Sequence, residues 1–533
     1  MSHSVTHLRD SGQRPRRMAA TGPTALGILQ DQGFIVLLAL VMTGLPVALN
    51  FLGQNLAVGI CLTLAIVVAL RFERAVPTVL IVCYIFQTTF VSYASAYVAD
   101  VRSLDPMKSY NFVTTVGVWI VLAVRFVHLF GTTSPFVRRL TLWSAVALAV
   151  AVCYYVPGLL YDARGATIYL RNIVLPLMLF QICVNVGSRH PFHLDTVVVL
   201  ILTTLLACGY FELFFIERWL DLTHGWSYLD LGFADRRASP MTVREAKETG
   251  AVVGTALDLL KTNLLNSNLL GDLGTVTRIQ GPNFHPISYG YVLSTMAALA
   301  AVQGYWLLIA AAVPLMIVVG AKGAIVLLVA SVAFVAAARV SPSPATLWAF
   351  VGIMSVYAVL VFRSGIAAGD YHVLGLLGGL SGFVGNPLGH TLGQGGNLSV
   401  AFAEIDFQKY QKAGQSDLAV ESAIGVLLYQ MGVCGFGLLA VYGWISALCW
   451  RLFRHFRLPS LALATALIVV TLFNGLFQEE AMFAPLALGL VMLVVGLTLG
   501  AVDRRIAPLV APLSTPLSRP LSDRRRSAPA VGP

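Results

Sequence analysis

Ionisable side chains are scarce in this chain, and those able to do chemistry stand at the ends of apolar stretches. The basic ones are Arg171, Arg278, Lys322 and Arg363; the acidic ones are Glu212, Glu421, Glu479 and Glu480, with His390 nearby in type and setting. Arginine and lysine held at one face of an apolar protein suit an anionic ligand, above all a phosphate or diphosphate. If a diphosphate departs during group transfer, fixed cations stabilise its charge as it develops. An attacking hydroxyl also needs a general base.

Each candidate has two readings. Glu421 opens the segment Glu421-Ser422-Ala423-Ile424-Gly425-Val426-Leu427-Leu428, as a base or as a charge compensating a helix N-terminus. His390, in Asn386-Pro387-Leu388-Gly389-His390, is a second candidate base or a surface-loop histidine. Glu479 and Glu480 serve as base, as carboxylates orienting an arginine, or as plain interfacial charges. Arg278 begins the run Arg278-Ile279-Gln280-Gly281-Pro282-Asn283-Phe284-His285-Pro286, whose glycine and prolines read as a rigid turn into a helix. Lys322 stands alone in the turn Gly320-Ala321-Lys322-Gly323-Ala324. Any one of these charges could snorkel to the membrane surface. Together they oppose the depletion of Arg and Lys from short external loops.

Other chemistries find little support. The glycine-rich stretch Gly385–Gly396 lacks the spacing of a phosphate-binding loop. Histidines are scattered, and none of the 7 cysteines has CxxC spacing, so no metal, disulfide or other cofactor is expected.

The elements that must position these residues are membrane helices. Of 533 residues, 57% are hydrophobic and 11% charged, against about 25% charge in a soluble domain. Apolar runs long enough to cross about 30 Å of hydrocarbon recur throughout. The expected fold is an all-α polytopic membrane protein with about 14 transmembrane helices. A basic cytoplasmic arm covers 1–32, and the first span reads as a retained signal anchor. Helices 1–7 lie within 33–216, helices 8–11 within 287–362 and helices 12–14 within 433–502, before a disordered basic tail at 503–533. The positive-inside rule puts both termini in the cytoplasm, with Arg102 and Lys108 as exceptions. It leaves two long loops, 217–286 and 363–432, on the outer face; the first is expected to hold an amphipathic helix near Val243–Leu265, and both to lie over the membrane surface and partly re-enter it. The net charge of +10 is read as topogenic, with the lipid bilayer and not nucleic acid as partner.

Three stretches resemble the superfamily of O-antigen polymerases and O-antigen ligases. Arg278-x-x-Gly281 with Phe284, Pro286 and Gly290 is similar to its arginine–glycine–proline lead into a membrane helix. Gly320–Ala324 is similar to an outer turn where the family has Ser-Arg-Gly-Ala, and Tyr169-Leu170-Arg171 fits a further arginine. Pro387-Leu388-Gly389-x-x-Leu392-Gly393, then Glu421-Ser422 and Gly432-x-x-Gly435, is similar to the end of the family's large loop. The resemblance implies a GT-C-like, metal-independent glycosyltransferase of the bacterial inner membrane. It would join polyprenyl-diphosphate-linked oligosaccharide repeats into O-antigen or exopolysaccharide at the periplasmic face, alongside a polysaccharide chain-length regulator. By this resemblance Arg171, Arg278 and Lys322 would hold the diphosphate, and Glu421 or His390 would activate the acceptor; Arg363 joins the diphosphate-binding set by its charge and position after helix 11 alone. Two departures stand out: lysine replaces arginine at Lys322, and Glu421 occupies a usual histidine position. A ligase transferring glycan to a lipid or protein, or a polysaccharide flippase, are the alternatives.

Overall fold

A chain in hydrocarbon must satisfy its backbone hydrogen bonds internally, and the apolar runs do so as helices. The computed structural model describes residues 25–238, 255–264, 275–400, 402, 405 and 407–510. Seven long helices come first: α1 (Ala25–Leu49), α2 (Gln54–Arg71), α3 (Val76–Ser95), α4 (Asp105–His128), α5 (Pro135–Gly158), α6 (Ala163–Arg189) and α7 (Leu194–Phe214). The first long loop holds α8 (Ile216–Leu222) and α9 (Gly225–Ala238), then an antiparallel ribbon of β1 (Lys261–Asn263) and β2 (Thr275–Thr277), with Lys261 opposite Thr277. Next come α10 (Pro286–Gln303), α11 (Trp306–Val319), α12 (Lys322–Val340) and α13 (Pro344–Ala368). The second loop is built from α14 (Tyr371–Gly385), α15 (Phe407–Ala413) and α16 (Ala423–Met431). The chain closes with α17 (Val433–Phe456), α18 (Pro459–Asn474), the short α19 (Glu480–Phe483), a π-helical turn at Pro485–Gly489, and α20 (Leu490–Val510).

The protein is therefore an all-α polytopic membrane protein, with 11 helices among the described residues long and apolar enough to cross a bilayer. Each of the fourteen expected stretches coincides with a helix, but α10, α11 and α18 are not among those 11. At 14 and 16 residues, α11 and α18 reach only about 21 and 24 Å. The 18-residue α10 is interrupted by Ser288, Tyr289, Tyr291, Ser294 and Thr295. Its position explains that tolerance. All five side chains are buried, because α7, α11, α12, α18 and α20 surround the helix and shield it from lipid.

Close backbone approach holds the rest of the bundle. A methyl group added at Gly496 or Gly500 on α20 would come 2.7 Å from the Phe180 carbonyl oxygen or 2.6 Å from that of Val184, both on α6. This small-residue pair, four apart, is how membrane helices gain dispersion contact without a hydrophobic drive. The glycines of α14 work in the same way: a Cβ at Gly379 would fall 2.4 Å from the Gly425 carbonyl of α16. They serve helix packing.

Some boundaries differ from expectation. Helix α13 continues to Ala368, which puts Arg363 inside it, and α18 ends at Asn474 ahead of a turn. The expected amphipathic helix near Val243–Leu265 is not formed at its end: Thr255 and Asp258 cap a 3₁₀ turn, Ala256–Leu260, and the chain then extends into β1. Its earlier part lies outside the described residues, as do 1–24 of the basic arm and 511–533 of the tail; the last eight residues of the expected arm already belong to α1, and the first eight of the expected tail to α20. At one end of the bundle Glu73 gathers Arg125 (2.5 Å), Arg189 (3.0 Å) and His190 (3.4 Å). The opposite end carries Glu421, Glu479 and Glu480.

Candidate active site at the Glu479 end of the bundle

The loop carrying Arg278 is built as the sequence implies. Gly281 has φ +64°, and a Cβ there would strike the Tyr289 ring at 2.3 Å. Thr89 donates its hydroxyl to the Pro282 carbonyl (2.5 Å), and Phe284 stacks on Trp219 with centroids 6.4 Å apart. His285 caps α10, its Nδ1 accepting the Ser288 N–H at 3.2 Å, and Pro286 takes the first helical position, where its missing N–H costs nothing. The Arg278 N–H donates to the Leu260 carbonyl beside the β-ribbon (2.8 Å). Its Nε donates to the Val319 carbonyl at the C-terminus of α11 (2.9 Å), where the helix dipole favours a cation.

Lys322 follows two residues beyond Gly320, exposed at the start of α12 and in no ion pair among the described residues. Its turn is fixed from the other side. Asn474 Nδ2 donates to the Gly323 carbonyl (2.7 Å), and Tyr291 donates to Gln478 Oε1 (2.8 Å). Gln478 immediately precedes Glu479 and Glu480, so one short loop brings the lysine turn and both carboxylates together.

Glu479 is 3% exposed. Tyr169, on α6, donates its hydroxyl to Glu479 Oε1 (2.6 Å), and the Asn397 N–H donates to Oε2 (3.0 Å). Asn397 also works in the other direction: its Oδ1 accepts the N–H of Glu421 at 2.9 Å. Gly396 admits this contact because a Cβ there would meet the Tyr169 hydroxyl at 1.9 Å. Glu421 itself has φ +59°, a left-handed conformation that costs a non-glycine residue about 1–2 kcal/mol. Strain of this kind persists only where the surroundings impose it, as at functional sites. Ser422, not Glu421, caps α16, so the glutamate lies outside the helix.

The partner of Glu421 is a histidine the sequence did not single out. His372 Nδ1 lies 3.6 Å from Glu421 Oε2 and 3.4 Å from the Glu421 carbonyl oxygen. Asp370 fixes its backbone by accepting the His372 N–H (2.8 Å). Both side chains remain open to solvent, 42% exposed for His372 and 24% for Glu421. Glu480 joins the two halves of the site. Burial and the Glu421 carboxylate push its carboxyl above the usual range, while His372 and Arg278 pull it down.

Three expected residues are placed elsewhere. His390 stacks on Tyr429 (4.2 Å) and its Nδ1 sits 3.1 Å from the Tyr429 carbonyl, packed against the far end of α16. Arg171 lies two residues from Tyr169, on the side of α6 facing Asp105 and Tyr84, and its Nε donates to Asn172 (3.2 Å). Arg363 is exposed on α13 without an ion pair among the described residues. The structure thus groups Arg278, the Lys322 turn, Glu421, Glu479 and Glu480, and adds His372, Tyr169 and Asn397. Among the described residues no group of three or more His, Cys, Asp or Glu is arranged to hold a metal ion.

Burial pushes the Glu479 carboxyl up to about 8. The folded state therefore holds a proton that the unfolded chain has released above the ordinary glutamate range. The resulting stability is present at low pH and is lost as pH rises through about 8. Thermal unfolding in detergent is expected to show a midpoint that falls from about pH 5 to about pH 8 and levels off above it, an effect that Glu479→Gln flattens. An unchanged slope in that variant would contradict the assignment.

Comparison with protein-family models, with curated proteins and with solved structures finds no match for this chain.

Proposed function

We propose that the protein is a membrane-embedded glycosyltransferase that joins polyprenyl-diphosphate-linked oligosaccharide repeats into O-antigen or exopolysaccharide. One observation carries the reading: Glu480 stands within electrostatic reach of both the Arg278 guanidinium and the Glu421–His372 carboxylate–imidazole pair, and the turn carrying Lys322 is tied through Asn474 to the same end of the bundle. A cationic pole and a basic pole side by side are what displacement of a diphosphate by a sugar hydroxyl requires.

In this reading Arg278 and Lys322 hold the diphosphate. The guanidinium, fixed at Nε by Val319, offers its terminal nitrogens to the phosphate oxygens. The acceptor hydroxyl sits against Glu421 and His372 and loses its proton to that pair. Attack at the anomeric carbon forms the new glycosidic bond and breaks the bond to the diphosphate, whose negative charge the two cations receive. Glu479 touches neither substrate; through Asn397 it fixes the backbone of Glu421. The resemblance to O-antigen polymerases supports the substrate class and a reaction at the periplasmic face.

Deleting the gene tests the polymerase reading against its neighbours. Glycan ladders are expected to collapse to single repeats. Accumulated, unattached lipid-linked polymer would instead assign a ligase, and single repeats retained on the cytoplasmic face would assign a flippase.

A further inference from the structure

Glu212 is a buried acid in the last turn of α7, 2% exposed, and it takes part in no ion pair among the described residues. A carboxylate in such a place is costly and is kept for a purpose. Both of its oxygens are occupied. Oε1 accepts the Gln280 N–H at 2.8 Å and Oε2 accepts the Gly281 N–H at 2.7 Å. These are the second and third residues after Arg278. A two-point grip on consecutive amides fixes both the place and the tilt of the peptide between them, which one acceptor does not.

The rest of the clamp acts around that grip. Gly281 turns against the Tyr289 ring, and Tyr289 donates its hydroxyl back to the Leu205 carbonyl on α7 (2.7 Å). Ile279, the one residue between Arg278 and the gripped amides, is 1% exposed. Displacement of the amides is therefore transmitted to Arg278 with little slack. We infer that Glu212 is a positioning residue for Arg278: its bidentate hold on the 280–281 backbone sets the guanidinium over the Val319 carbonyl. The functional consequence, though not the positioning, rests on the diphosphate-binding reading of Arg278.

Glu212→Gln keeps the shape and one acceptor but turns an amide donor toward the second N–H. Glu212→Asp keeps two acceptors on a shorter arm. Thr89→Val frees the same loop at Pro282 while leaving both carboxylate oxygens in place.

The test uses the full chain in nanodiscs, with two readouts. The first needs no ligand. Arg278→Cys is placed in a Cys153→Ser background, which removes the exposed native thiol, and its alkylation by a maleimide is timed. Adding Glu212→Gln is expected to speed labelling at least five-fold, Glu212→Asp less, and Thr89→Val not at all. The second readout is binding of farnesyl diphosphate. Glu212→Gln is expected to weaken it about ten-fold, with no further loss when combined with Arg278→Ala, as coupled residues require. Unchanged labelling, or equal effects from Thr89→Val and Glu212→Gln, would overturn the inference. Faster labelling together with binding that neither Arg278→Ala nor Glu212→Gln weakens would uphold the positioning role and remove the diphosphate reading. If Glu212→Gln fails to fold, Glu212→Asp carries the same comparison.

Discussion

Arg278→Ala is expected to lower polymer formation about 10²–10³-fold, the loss that follows removal of one fixed donor from a developing negative charge. The loss should fall on turnover as well as on donor affinity, because the guanidinium gains strength as the leaving diphosphate takes up charge. Arg278→Lys keeps the charge and loses both the Nε bond to Val319 and two-point contact with phosphate, so it should recover only part of the activity. Folding is expected to survive both changes. The loop is held by Glu212, Thr89 and the His285 cap, none of which uses the Arg278 side chain. Quantitative gel analysis of glycan length, with protein level measured in the same membranes, checks this. Normal ladders from Arg278→Ala at normal protein level would remove the residue from the mechanism.

Glu421→Gln is expected to cost about 10²–10⁴-fold, the usual contribution of a general base. Glutamine keeps the backbone bond to Asn397 and the left-handed conformation, so the change isolates the carboxylate. His372→Ala should produce a comparable loss if the two groups act as a pair, and the double variant should be little worse than either single one. His390→Ala should have no such effect, since that ring is engaged by Tyr429. Activity equal to wild type in Glu421→Gln and His372→Ala together would leave the site without a base.

Much of this architecture is legible in the sequence, because hydrocarbon permits few solutions. Apolar runs bounded by Pro, Gly and Arg locate each helix, and the glycine–proline pattern after Arg278 correctly marks a rigid turn. What the sequence hides is contact between distant segments. His372 and Glu421 meet although 49 residues separate them, and Tyr169 meets Glu479 across 310. No local pattern encodes either approach; both depend on glycine-lined packing of α14 on α16 and on Gly396 closing over Tyr169. His390 was the more visible histidine, standing in a glycine-rich loop, and it lies against Tyr429 instead. Arg171 shows the same lesson at short range: two residues from Tyr169 on a helix is about 200° of rotation, and the arginine faces α3 and α4. Helix α10 is legible as a span, but its enclosure is not: its buried Ser, Thr and Tyr side chains are tolerated because other helices surround it.

In the proposed function this bundle end transfers glycan from a lipid diphosphate using only its own side chains. The most direct measurement is polymerisation by the purified full chain in nanodiscs, supplied with polyprenyl-diphosphate-linked oligosaccharide repeats, with a chelator present and no nucleotide sugar. Products lengthened by whole repeats are expected, with polyprenyl diphosphate released in matching amount, and neither from Arg278→Ala or Glu421→Gln. Repeats that stay single while the native protein remains folded, or elongation equally supported by both variants, would contradict it.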